Sequence, residues 1–125
     1  MELEGTATVE QLIARYAHAI DDRRFDDAGR LFATDARLVV GRHTFDGRDA
    51  IVATMLAAAA SSEPGKHICT NIDAEVDGMH ATVASDFVMI ASNRTVSSAG
   101  RYLDQLICTN GRWQFQQRQI VVTIK

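Results

Sequence analysis

The chain has almost no proline, one in 125 residues, and only two cysteines, at 69 and 108. Neither cysteine belongs to a spaced zinc pattern, and both fall in strand-like segments, so they read as ordinary small apolar residues rather than as a disulfide framework or a metal site. Long apolar runs are also missing. The longest, around "AIVATMLAAAA", is far short of the roughly 20 residues needed to cross a bilayer. The start "MELEGTATVE" is acidic, unlike a signal peptide, which gives the expectation of a cytoplasmic protein that does not engage a membrane. There is no Lys- or Arg-rich run, and the formal net charge is -3, which argues against a surface that tracks nucleic-acid phosphates. The four histidines, His18, His43, His67 and His80, lack the i,i+4 spacing of a helical metal site, and no cofactor is expected.

What is present is the balance of an ordered globular chain, 46% apolar and 23% charged, and 125 residues fit one domain over 1–125. "TVEQLIARYAHAIDDR" carries a capping-box pair, Thr8 and Gln11, and apolar residues 9, 12, 13, 16 and 20 at helical spacing, predicting a helix over 8–23. A shorter helix is expected over "FDDAGRLFA". "ARLVVG" and "HTFDG" read as a strand pair, and Asp46 or Asp49 is placed to cap a third helix, "RDAIVATMLAAAA". Long strand patterns follow over Lys66–Val76, Met79–Ser92, Arg101–Thr109 and Arg112–Ile124, the last two joined by the turn dipeptide "NG". Helices early and antiparallel strands late predict an α+β domain in which a curved sheet wraps three helices and leaves a conical cavity for a small ligand.

Each helical residue advances about 100° around the axis, so Asp21 borders the apolar stripe whereas Asp22 and His18 face solvent. Asp21 and His67, at the start of "HICTNIDAEVDG", are therefore candidates for a carboxylate–imidazole dyad, in which the carboxylate fixes the imidazole tautomer and raises its basicity. Strand parity poses a difficulty. It puts His67, Cys69, Asn71, Asp73 and Glu75 on one face, though the two acids require water; the strand must pass to an exposed end or carry a bulge between His67 and Asp73.

"LIARYAHAIDDRRFDDAGRLFATDARL", "FDGRDAI", "HICTNIDAEVDG" and "NGRWQFQQRQI" stand in an order that resembles the SnoaL-like, nuclear-transport-factor-2-like superfamily over nearly the whole chain. Within it the chain is similar to the scytalone dehydratase and hexachlorocyclohexane dehydrochlorinase branch, with an Asp ending the first helix and a His in an H-x-x-T-N strand. That resemblance implies a cone-shaped α+β barrel, a catalytic set of Asp21, His67 and Arg118, and a cofactor-independent lyase, isomerase or cyclase acting on a small apolar or aromatic, polyketide-like molecule. Tyr16, Cys69, Asn71 and Trp113 are the candidates for the pocket wall. Ile20 stands where scytalone dehydratase has a tyrosine, so that enzyme's arrangement for polarising water is not reproduced. A non-catalytic ligand-binding or dimerisation module is the competing class. Strands such as "DFVMIAS" and "YLDQLIC" are apolar at both parities, which leads us to expect a homodimer or higher homo-oligomer.

Overall fold

The computed structural model describes residues 8–125; most of the acidic N-terminal stretch discussed above lies outside them. Thr8 accepts from the Gln11 N–H at 3.1 Å and the Gln11 side chain accepts from the Thr8 N–H at 3.0 Å, so the capping box forms and starts helix α1, Val9–Asp21. Its stripe of Val9, Leu12, Ile13 and Tyr16 is buried. Arg23, at φ +57, turns the chain into helix α2, Phe25–Arg30. The spacing that predicted a helix through Ala33 fails after Arg30. Phe32 is fully buried and pairs with Phe115, and the Phe115 N–H donates to the Leu31 carbonyl, so sheet pairing takes residues that a helix pattern would also accept.

Strand β1, Phe32–Val40, and strand β2, His43–Asp46, form the expected hairpin. Helix α3, Arg48–Ala60, follows. Neither aspartate caps it. Gly47 occupies the cap position at φ +92, a conformation that favours glycine, while Asp46 is bound to Arg37 at 2.7 Å on the exterior. Strands β3, Lys66–Asp77, β4, His80–Ile90, β5, Val96–Thr109, and β6, Arg112–Ile124, complete a six-stranded sheet in the order β2-β1-β6-β5-β4-β3. All neighbours are antiparallel except β1 and β6. Asn110 and Gly111 both take positive φ, 55° and 74°, and close the β5–β6 hairpin as a type I′ turn. No helix among the described residues is long and apolar enough to cross a membrane.

The parity difficulty in β3 is settled by a bulge. The register against β4 shifts between Thr70 and Asp73, with Asn71 at φ +53. Before the bulge His67 faces the helices and Cys69 packs on the core; after it Ile72 and Ala74 take that face, and Asp73 and Glu75 turn outward.

The helices and the concave sheet face enclose a core rich in aromatic contacts. Tyr16 meets Phe32, Tyr102 and Phe115 edge-on at 5.7–6.1 Å between centroids. Asp104 and Arg118, opposite each other in β5 and β6, are buried in the middle of it. Arg118 Nε donates to Asp104 Oδ1 at 2.8 Å and one terminal nitrogen to Oδ2 at 3.1 Å, while the guanidinium carbon lies 3.5 Å from the Tyr102 ring centroid. Burial alone would lower the Arg118 pKa, but Asp104 and the two phenols outweigh it and raise it; burial also pushes the Asp104 carboxyl up against the pull of Arg118.

Because one partner removed leaves the other as an uncompensated buried charge, Asp104→Ala should cost about 3–5 kcal/mol in urea unfolding, whereas Arg37→Ala, in an exposed pair, should cost about 0–1 kcal/mol. Burial also raises the pKa of Tyr16 and Tyr102 above the ordinary 10.0. The folded chain then keeps phenolic protons that the unfolded chain releases. Stability from these groups is full below pH 10.0 and is lost as the pH rises from there towards the folded values. The unfolding free energy should fall by about 1.4 kcal/mol per pH unit for each protonated phenol, and Tyr102→Phe should flatten that slope.

Candidate active site

Between the three helices and the open end of the sheet lies a cavity of about 400 Å³. Its walls are largely apolar, with Leu38, Phe45, Met55, Met89 and Ile120 among them and the ring of Tyr16 at the core side. The polar groups gather at the rim, where Asp21, Arg23, His43, Glu63 and His67 all contribute.

The structure brings Asp21 and His67 together. Asp21 is the last residue of α1 and His67 the second of β3. The His67 backbone N–H donates to both carboxylate oxygens, at 3.1 and 2.9 Å, and the ring Nδ1 lies 2.6 Å from Oδ1. The side chains are 6% and 17% exposed, so the contact is mostly shielded from water. A carboxylate only accepts, so the contact favours the tautomer of the neutral ring that has its hydrogen on Nδ1 and its lone pair on Nε2.

Local sequence explains why β3 starts here. Arg23, two residues beyond Asp21, donates to the carbonyls of Ala59 and Ser62, both at 2.9 Å, which caps the end of α3. Asp21 and Arg23 thus hold the α3–β3 connection from both sides. Gly65 in that connection has no room for a side chain. A Cβ would lie 2.5 Å from Met89 Cε and 2.6 Å from the Ile90 carbonyl oxygen.

Of the other residues expected at the site, Tyr16 lines the cavity and four do not. Arg118 lies deeper, bound to Asp104 and stacked among aromatic rings, because its inward strand position faces the packed core rather than the open space. Cys69 is half-buried against the same core, and burial raises its thiol pKa, so it is a poor nucleophile. Asn71 is the bulge residue, and its amide donates to Asp86 at 2.8 Å on the exterior. Trp113 sits beside the β5–β6 turn, opposite Cys108, seven positions from the cavity residue Ile120. Sequence reasoning missed His43 and Phe45. Their shared parity on β2, opposite Asp46, was the available signal. Arg23 had none, because its role depends on where α3 ends. Among the described residues no three His, Cys, Asp or Glu side chains gather as a metal site.

An uncharacterized protein of Mycobacterium tuberculosis (strain H37Rv) is 29% identical over 127 aligned positions, covering 94% of this chain and 84% of that protein. Among solved structures, a protein of unknown function from Mycobacterium tuberculosis, carrying a D26N substitution, superposes with a TM-score of 0.85 at 26% identity, covering 92% of this chain and 69% of that one. A putative scytalone dehydratase from Novosphingobium aromaticivorans gives 0.81 at 21% identity, covering 93% and 82%; at that identity the likeness concerns the fold. The pattern of the SnoaL-like domain matches residues 1–119, and with the helix order, the curved sheet and the cavity described above it establishes that the chain belongs to the SnoaL-like domain family.

Proposed function

We propose that the protein is a cofactor-independent enzyme of the lyase or isomerase type, in which His67 removes a proton from carbon in a small, largely apolar molecule. The observation that carries this reading is the 2.6 Å contact between His67 Nδ1 and Asp21 at the wall of an apolar cavity. Asp21 fixes the ring so that Nε2 is the base, and it stabilises the imidazolium that forms. Membership of a family whose fold is shared by a putative scytalone dehydratase supports the same class of chemistry. Arg118 enters only as support. Its guanidinium carbon lies 4.3 Å from the centroid of Tyr16, which in turn lines the cavity.

The test requires no natural substrate. An apolar ketone such as 4-phenylbutan-2-one has acidic C–H bonds beside its carbonyl, and their exchange in D2O is followed by proton NMR. The wild-type protein should accelerate exchange, and His67→Ala should remove about 10²–10⁴-fold of the rate with an unfolding midpoint close to wild type. Asp21→Asn should lose both rate and stability, because its NH2 group would set a donor against the His67 backbone N–H in place of an oxygen and the negative charge that stabilises the imidazolium would be gone. Exchange at the wild-type rate in His67→Ala would refute the base assignment, and tight binding of the ketone without exchange would instead support a carrier.

In the same reading the protein is a cytoplasmic homodimer formed through the outer sheet face. Ile68, Leu103 and Ile124 are 48%, 41% and 59% exposed on that side of the sheet, and leaving them in water costs free energy that a second copy would recover. Light scattering at micromolar concentration should give twice the chain mass, and Leu103→Glu should shift it towards the monomer; a wild-type monomer would refute the interface.

A further inference from the structure

Strand β4 buries Ala81, Val83, Ser85 and Phe87 in unbroken alternation, so a change of face along its neighbour β3 arises in β3 itself. Before the bulge His67 stands opposite Met89 and Cys69 opposite Phe87; after it Ala74 stands opposite Val83 and Val76 opposite Ala81. Odd-numbered residues share the inner face before the bulge, and even-numbered ones after it. The inversion comes from two residues, Asn71 and Ile72, standing against the single residue Ser85. Carried back without a break, the register of Asp73–Asp77 would set Ile68 opposite Met89 and turn His67 to the outer face. Asn71 makes the extra residue possible. Its φ of +53 is left-handed, which asparagine tolerates far better than a β-branched residue does, and its amide donates to Asp86 Oδ2 at 2.8 Å. Asp86 Oδ1 in turn accepts from Arg101 Nε at 2.7 Å, so the bulge is tied on the outer face to β4 and through it to β5.

We propose that Asn71 is a positioning residue for the base: its left-handed backbone, held by Asp86, keeps His67 against Asp21. As a statement about catalysis this rests on the assignment of His67 as the base. Without the bulge the two halves of β3 must share one register, and one of them has to turn over. Turning the later half would bring Asp73 and Glu75 opposite Val83 and Ala81, which are 1% and 4% exposed, and would take Ile72 and Ala74 off the core. Burying two carboxylates without partners is the costlier choice by far. Turning the earlier half buries Ile68, now 48% exposed, and gives up the contacts between His67 and Asp21. The earlier half therefore turns, and the imidazole leaves the cavity. His67 is kept at the site by a residue that lies outside the cavity wall.

The test separates the backbone of Asn71 from its amide. Glycine reaches positive φ freely, whereas valine resists it, and neither side chain can bind Asp86. The imidazole nitrogen NMR shifts of His67, assigned by their absence in His67→Ala, report the Nδ1–H tautomer that Asp21 holds; a ring released to solvent reverts to the Nε2–H form. Asn71→Val should lose the Nδ1–H tautomer and about 10²-fold of the rate of 4-phenylbutan-2-one exchange, whereas Asn71→Gly should keep the tautomer and stay within about threefold of wild type. Both variants lose the bond to Asp86 and should unfold at lower urea, so stability alone would not separate them. If the valine variant fails to fold, Asn71→Ala, which also disfavours positive φ, takes its place in the comparison. A valine variant that keeps the tautomer, or a glycine variant that loses it as fully as valine does, would overturn the proposal. A wild-type protein that exchanges no ketone would remove the base assignment, and the tautomer comparison would still decide whether Asn71 places His67.

Discussion

The position of the α1 end against the start of β3 depends on one carboxylate. Asp21 is nearly buried and accepts three contacts from a single residue, two from the His67 backbone N–H and one from its ring. Burying a carboxylate without such donors would cost several kcal/mol, so the helix end and the strand edge cannot part without exposing that cost. The same contacts orient the imidazole. Fold and site share their hydrogen bonds here, and a substitution at Asp21 therefore acts on both, whereas one at the His67 ring leaves the backbone contact intact.

A second constraint lies deeper. Arg118 and Asp104 form an ion pair with no solvent contact, and one Arg118 nitrogen has no hydrogen-bond partner. Aromatic rings on three sides compensate in part, with the guanidinium carbon 3.5–4.4 Å from the centroids of Tyr102, Tyr16 and Phe115. A buried pair of this kind is weak evidence for stability in itself, since apolar side chains of the same volume often serve as well. Its consequence for the site is indirect. It packs the inner side of the Tyr16 ring, whose outer side forms the cavity, and so fixes how deep the cavity can be.

The elements were legible where a local rule and the tertiary structure agree. The capping box at Thr8, the "NG" turn and the 48–60 helix follow from rules that act within a few residues. Helix geometry placed Asp21 on the edge of the apolar stripe and made it a candidate partner for His67, and the resemblance strengthened that pairing, because no local rule brings residues 46 positions apart together. Parity in β3 predicted a conflict, which the Asn71 bulge resolves. Arg118 shows the limit of the same rule. Parity assigns a face, but not whether that face meets the packed core or the open cavity, and the difference is set by how helices α1 and α3 lie over the sheet. His43 was overlooked for a related reason, since an edge-strand histidine beside a tight turn reads as surface until sheet curvature turns it inward.

The charges around the cavity narrow what it can hold. Arg23 is the cationic side chain in its wall, and both terminal nitrogens are already donated to the carbonyls of Ala59 and Ser62. A carboxylate or phosphate ligand would have to break the cap of α3 to gain a partner, and Asp21 and Glu63 at the rim would repel it. In the base reading, negative charge appears only during the reaction, as the enolate, and the cation that answers it is the His67 imidazolium created in the same step. Tyr16 adds a phenol that burial keeps protonated, so the wall offers a hydroxyl beside an Arg23 already engaged by the Ala59 and Ser62 carbonyls. In that reading, catalysis rests on holding the charge-separated transition state more tightly than the neutral ground state of the same molecule.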